Sequence, residues 1–285
     1  MFKAIGNFIK WIGDHFKGML FLLIVAVIFM PKSSTPLETA NLQEIKLTGP
    51  IMTAEKIVKE IEKAQKNTKI KGVLLNVNSP GGAVPPSIEI SYAIRELQKH
   101  KPVIAYASGI MASGSYYASI YATKIIANPG SIVGSIGVIM ESADISELMK
   151  TIGVKTQTVK QGTYKEAGTP TREWTKEERA ELETLTKDTY ELFVSDVAAA
   201  RGLKTEDAKA YADAHIFSSK RAKEAGLIDG IGVKSEAKTL LREEANITKA
   251  VWKEKDKFES FMDKLEGKSI LQLQTYFYGL KSSLF

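Results

Sequence analysis

Two short apolar runs constrain this chain more than anything else in it. Lys71 to Val77 reads KGVLLNV, and Val103 to Ala107 reads VIAYA. Neither alternates polar with apolar residues, so neither suits a strand with one wet face. Both suit strands buried on two faces of a parallel sheet. The first run stops at Asn78-Ser79-Pro80-Gly81-Gly82, the second at Ser108-Gly109. Apolar residues at helical spacing are expected to form helices over Thr53–Lys66, with Thr53 as cap, and Pro85–Lys99. Further strands are expected at Glu44–Thr48, Thr123–Ala127, Ile136–Met140, Val154–Val159 and His215–Phe217. A long amphipathic helix is expected over Thr175–Arg201, ended by Gly202, with shorter ones over Thr205–Ala210 and from Ser218 to Ala225. Strand and helix keep alternating, which predicts an α/β domain with mostly parallel strands.

The chain divides on composition. Residues 1–17 form an amphipathic leader carrying Lys3, Lys10 and Lys17, and residues 18–31 are an uncharged apolar block closed by Pro31. That block covers roughly 20 Å as a helix, against about 30 Å of hydrocarbon. No small-x-small cleavage site follows it, so the expectation is an uncleaved N-terminal membrane anchor. The lysines before it favour a cytoplasmic N-terminus, with the remainder outside. Residues 32–44 read as a linker, 45–245 as the main domain, and 246–285 as a charged, then aromatic-rich amphipathic extension. Net charge is +6 over 285 residues, and the charges are interspersed as on solvated helix faces, which argues against nucleic acid. There are no cysteines, so thiolate chemistry and disulfides are excluded. The three histidines, His15, His100 and His215, are far apart, and no metal motif and no cofactor motif is present.

Chemistry concentrates in Pro102–Val138, a stretch dense in Gly, Ser and Ala. Within it, Ala112-Ser113-Gly114 opens a helix after a strand. A serine at such a junction projects its hydroxyl from a sharp turn, and the free N–H groups of the helix start can hold an oxyanion. Small residues also serve simply to let a helix pack close to a sheet, and the pattern alone fits both uses. The Gly81-Gly82 turn ends the neighbouring strand on the same sheet edge, where sites usually form. It matches neither phosphate-loop pattern. A nucleophilic serine needs a base. His100 lies at the entering end of its strand and His215 far downstream. A desolvated lysine serves instead when its pKa falls toward neutrality. Lys165 stands out by context, between Tyr164 and Glu166-Ala167-Gly168 in a loop bounded by Gly162 and Pro170, although a solvated loop lysine is the ordinary alternative.

Four separated motifs occur in one order: Asn78-Ser-Pro-Gly-Gly82, Ala112-Ser-Gly-Ser-Tyr-Tyr117, Gly134-Ser-Ile-Gly137 and Gly162-Thr-Tyr-Lys-Glu-Ala-Gly-Thr-Pro170. Together they resemble the signal peptide peptidase A (protease IV, S49) family over about residues 45–235, in its short membrane-anchored form. The resemblance implies a repeated ββα spiral fold of the Clp/crotonase kind. It implies Ser113 as nucleophile and Lys165 as general base, with oxyanion donors at Gly81 or Gly82 and at Gly114. It also implies signal peptides or other extended apolar peptides as substrates, contact with membrane lipid, and a homo-oligomer on the outer side of a bacterial inner membrane. Three positions depart from the pattern: Ser115 for a second glycine, Glu166 for aspartate, and Pro85-Pro86 for small residues. Ser115 either hydrogen-bonds near the lysine or caps a turn. The rival functions are a stomatin-linked Ser-Lys membrane protease, a crotonase-like acyl-CoA enzyme and a non-catalytic membrane scaffold.

Overall fold

The computed structural model describes residues 10–22 and 39–254. Contacts divide the chain into two units, Met1–Thr39 and Ala40–Phe285. In the first, residues 10–22 are helical. Among the described residues, no helix is long and apolar enough to cross a membrane. Most of the expected anchor, residues 23–31, lies outside the described residues, as do leader residues 1–9, linker residues 32–38 and tail residues 255–285.

The second unit is α/β with a mixed sheet. Its first half alternates β1 (Leu42–Thr48), α1 (Glu55–Lys66), β2 (Gly72–Ser79), α2 (Val84–Gln98), β3 (Val103–Ala112), α3 (Gly114–Ser119), β4 (Lys124–Ala127) and β5 (Ile132–Gly134). The second half holds α4 (Ser146–Thr151), α5 (Lys176–Arg201), α6 (Ala208–Tyr211), β6 (Ile216–Ser218), α7 (Ser219–Glu224), β7 (Gly230–Ile231) and α8 (Lys234–Glu244). Strands β1-β2-β3-β4-β7 run parallel in that order, while β5 branches from β3 and takes β6 antiparallel. The two apolar runs are indeed buried on both faces. Val73, Leu75 and Val77 join Val103, Ala105 and Ala107 in the larger core, which also takes in Ile61, Ile90 and Ile94 from α1 and α2. Leu74, Ile104 and Tyr106 point the other way, onto Ala237 and Leu241 of α8. Past α8, Trp252 pairs in parallel with Leu42 and covers the outer edge of β1.

Several boundaries differ from expectation, each for a physical reason. Strand β3 does not stop at Ser108-Gly109 but runs on to Ala112. The small residues make a bulge, where the pairing jumps from Val77–Ala107 to Ser79–Met111. Asn78 fills the gap. Its Oδ1 accepts from the Ile110 N–H at 3.0 Å, and a Cβ on Gly109 would lie 2.5 Å from that same oxygen. Beyond the bulge, β3 leaves β4 and pairs with Ile132–Gly134. The strand expected at Ile136–Met140 therefore falls four residues earlier. Val154–Val159 is not a strand; Val159 is fully exposed and the segment pairs with nothing among the described residues. Thr53 is not the cap of α1, whose N-cap is Ala54 without a side-chain bond. Helix α5 matches its sequence signals at both ends. Thr175 and Glu178 form a capping box, and Gly202 closes the helix at φ 65°.

Candidate active site

Ser113 stands between the end of β3 and the first residue of α3, with φ 53° and ψ −127°. A non-glycine residue in that region costs about 1–3 kcal/mol and persists only where its surroundings over-determine it. Here they do. The Ser113 N–H donates to the Gly134 carbonyl at 2.8 Å, and the Ser113 carbonyl accepts from the Tyr117 N–H at 3.0 Å. Ser115, fully buried two residues on, accepts from the Ala112 N–H at 2.9 Å. Its hydroxyl lies 2.6 Å from the Ser79 carbonyl and 2.9 Å from that of Ala112, so it donates across to the neighbouring loop. Ser115 thus bonds no lysine among the described residues; it closes the Ala112–Ser115 turn and also reaches the Ser79 carbonyl. It staples the turn bearing Ser113 to the strand that leads into Gly81-Gly82. Tyr116 anchors the same helix to the core, donating to the Leu227 carbonyl at 2.8 Å.

The Gly81-Gly82 loop packs directly on this turn. A Cβ on Gly81, whose φ is +94°, would lie 2.6 Å from the Gly114 nitrogen, and a Cβ on Gly114 would lie 2.2 Å from Ser87 Oγ and 3.3 Å from the Gly82 nitrogen. Only glycine permits such an approach. The Gly81 N–H is engaged, donating to Ser79 Oγ at 3.2 Å. The N–H groups of Gly82 and Gly114 have no hydrogen-bond partner among the described residues. Two close N–H groups beside a serine hydroxyl make an arrangement able to stabilise a developing oxyanion.

Ser113 opens onto a small pocket. Its walls are mainly apolar: Val84 and Ile88 from α2, Tyr117 from α3, Val138, and Leu192 and Phe193 from α5. Tyr117 packs its ring on Phe193 with centroids 4.6 Å apart and donates its hydroxyl to Asp196. Burial first, then the Asp196 carboxylate, pushes the Tyr117 phenol upward. It stays a neutral donor, and the pocket is offered its ring.

Lys165 lies outside the lining of this pocket. It is exposed, in a turn closed by Lys165 N–H to Gly162 O at 3.3 Å and Ala167 N–H to Tyr164 O at 3.0 Å. That turn is tied instead to the far end of α5. Arg172 reaches Glu166 at 3.1 Å and Glu178, in the first turn of the helix, at 2.7 Å. At about 1.5 Å per residue, Glu178 lies roughly 16 Å along the helix from Thr189 and 22 Å from Phe193, both pocket residues. Neither His100 nor His215 lines the pocket; His215 is exposed with its ring against Phe217. Among the described residues no group of His, Asp and Glu could hold a metal ion. Sequence reasoning missed the walls from α5 and the roles of Ser79 and Ser115. It also passed over Arg172 and Glu178, although the Thr175-x-x-Glu178 spacing is a legible capping signal.

The model of peptidase family S49 matches residues 95–248. A Methanocaldococcus jannaschii protein named as a protease is 42% identical over 188 residues, 66% of this chain and 60% of that one. An Enterococcus faecium protein named as signal peptide peptidase SppA is 34% identical over 226 residues, 79% of this chain and 64% of that one. The chain thus spans about three-fifths of the length of these relatives. Among solved structures, a mutant of a membrane-bound stomatin-specific protease superposes with a TM-score of 0.49 at 14% identity, covering 70% of this chain and 84% of that one.

Proposed function

The chain belongs to peptidase family S49, and from that membership we propose that it is a membrane-anchored serine endopeptidase whose dyad is Ser113 and Lys165. The observation that carries the proposal is the Ser113 turn itself. A strained serine, two unengaged N–H groups and an apolar pocket meet at one point. In the proposed reaction Ser113 Oγ attacks the scissile carbonyl carbon and its proton passes to Lys165 Nζ. The oxyanion is held by the N–H groups of Gly82 and Gly114. Lys165 then gives the proton to the departing amine, and a water that it deprotonates hydrolyses the acyl-enzyme. The pocket beside Ser113 favours an apolar side chain next to the cut bond. Extended apolar peptides such as remnant signal peptides are the proposed substrates, taken up by strand addition.

Because the Lys165 turn sits beside the first turn of α5, away from its own chain's pocket, the base is proposed to come from a second copy in a homo-oligomer. A lysine acts as a base only when desolvated. An exposed turn becomes so when another surface covers it, and Ile139, Leu148, Ile152 and Val159 offer exposed apolar side chains for such a contact. The branch of β3 from β4 to β5 supports a spiral sheet of the Clp/crotonase kind. The lysine-flanked apolar block at residues 18–31 supports an anchor in a bacterial inner membrane, with the catalytic domain outside. The test is activity of detergent-extracted full-length protein on a signal-peptide substrate. Ser113→Ala and Lys165→Ala are each expected to abolish cleavage, and full activity in either refutes the dyad.

A further inference from the structure

Lys165 is followed by the outermost member of an ionic chain that the proposed chemistry does not use. Arg172 forks onto Glu178, with Nη1 to Oε2 at 2.8 Å and Nη2 to Oε1 at 2.7 Å. The same Nη2 reaches Glu166 Oε2 at 3.1 Å, and Lys160 Nζ reaches that oxygen at 3.0 Å. Glu178 is only 2% exposed. The Arg172 fork, then the Thr175 N–H, holds its carboxyl down at about 2, and Lys160, then Arg172, does the same for Glu166.

The ordinary account of such a cluster is that it caps a helix. The cap, however, is complete without Arg172. The Glu178 N–H donates to Thr175 Oγ1 at 3.2 Å, and the Glu178 carboxylate accepts from the Thr175 N–H at 3.0 Å. What Arg172 adds is a bond from the helix to the residue after Lys165. The backbone ties of the turn, including Thr169 N–H to Glu166 O at 3.0 Å, are local and would let it swing as a unit. The Glu166 side chain joins it to α5 through Arg172, which forks onto Glu178, while the Trp174 indole adds a separate tie to the Thr169 carbonyl at 2.8 Å. The other end of α5 carries Thr189, Leu192 and Phe193 in the wall of the pocket.

We propose that Arg172, through Glu178 and Glu166, is a positioning residue that fixes Lys165 at the end of α5 so that the helix presents it to Ser113 of another copy. The inference rests on the Ser113–Lys165 reading and on delivery between copies. One 26-residue helix then has two jobs: it walls the pocket of its own chain and carries the base for a neighbour's.

Mixed assemblies test this. Full-length Ser113→Ala and Lys165→Ala chains, separately tagged and co-expressed, are expected to regain cleavage, because the first donates lysine and the second donates serine. Arg172→Gln is then placed on one partner at a time. On the lysine donor it is expected to lower kcat at least tenfold, as misplacing a reacting group does, with KM within about twofold. On the serine donor it should leave both unchanged. Glu166→Gln on the lysine donor, which spares the Arg172–Glu178 pair and the cap, is expected to give a smaller loss with the same asymmetry. Equal losses from either partner, or no loss from either, would overturn the positioning role alone. Mixed assemblies that form but stay inactive would overturn delivery between copies, and this inference with it.

Discussion

The turn that carries Ser113 and the turn that carries Lys165 are built on opposite plans. Around Ser113 the contacts are buried, short and redundant. Gly134, Ser115 and Ser79 bind its flanks, and Gly81 and Gly114 pack so closely that any side chain would collide. Around Lys165 the chain is exposed from Gly162 to Lys165 and half-buried from Glu166 to Thr169, and its side-chain tie to Glu178 of α5 is ionic. The first plan holds a strained backbone in place inside one chain. The second presents a charged group outward on the end of a helix. A nucleophile needs an angle that only a rigid surround maintains, whereas a base supplied from elsewhere needs reach and a surface to cover it.

The largest expected effect sharpens that contrast. Ser113→Gly and Lys165→Ala should both lower cleavage by about a thousandfold or more, as removal of a member of a catalytic unit does. Their stabilities should part. Glycine adopts φ 53° freely, so Ser113→Gly should raise the melting temperature, while Lys165→Ala, exposed and away from the core, should leave it unchanged. A loss of stability greater than the roughly 0.4–1 kcal/mol that glycine's extra unfolded freedom costs would show that the turn is not strained. Next in size is Gly81→Ala. Its Cβ would meet the Gly114 nitrogen at 2.6 Å, displacing a proposed oxyanion donor. Cleavage should fall about 10²–10³-fold, the usual cost of losing one such donor. Gly162→Ala, in the lysine turn, has open space around it and should cost far less activity despite its own positive φ. Comparable activity losses at the two glycines would erase the distinction.

Smaller again is Ser115→Ala. It strands the buried Ala112 N–H and Ser79 carbonyl, which should cost about 1–3 kcal/mol of stability in a denaturant titration. A neutral result would mean that the staple is redundant.

The same contrast explains what could be read from the sequence. The buried strands, the α5 cap at Thr175 and the Gly202 stop were legible because local patterning decides them. Ser113 was legible as a strand-to-helix serine, and its Gly-Gly companion as the next turn on the same edge. The bulge at Ser108-Gly109 was not. It depends on Asn78 reaching across from another strand, a contact that no period of residues encodes. Nor did Val154–Val159 announce that it lacks a partner strand among the described residues, since β-branched residues alternating with Lys155 and Gln157 look the same paired or bare. Lys165 was singled out from its motif, but the tie of its turn to the first turn of α5, through Arg172 to Glu166 and Glu178, is a tertiary contact that the motif does not encode.

The smallest effect concerns acid, and it should divide the two turns by pH. Glu166 and Glu178 are held at about 2 in the folded chain, below the ordinary value of 4.5. A carboxyl depressed on folding adds stability that is fully present above its unfolded pKa and is lost as pH falls through the folded one. The tie between the lysine turn and α5 should therefore hold above about pH 4.5 and loosen between there and about pH 2. Trp174 reports on it directly, since its indole N–H donates to the Thr169 carbonyl at 2.8 Å beside Arg172. With Trp11 and Trp252 replaced by Phe, Trp174 emission should change over that window, and Glu178→Gln should flatten much of the change. The backbone and serine hydrogen bonds that hold the Ser113 turn are neutral, and acid does not titrate them. Amide exchange at Ser113 and Tyr117 should accordingly stay protected through the Trp174 transition. Simultaneous loss of both signals would mean that the two turns unfold as one unit, so that the ionic tie supports the whole domain and not the lysine turn alone.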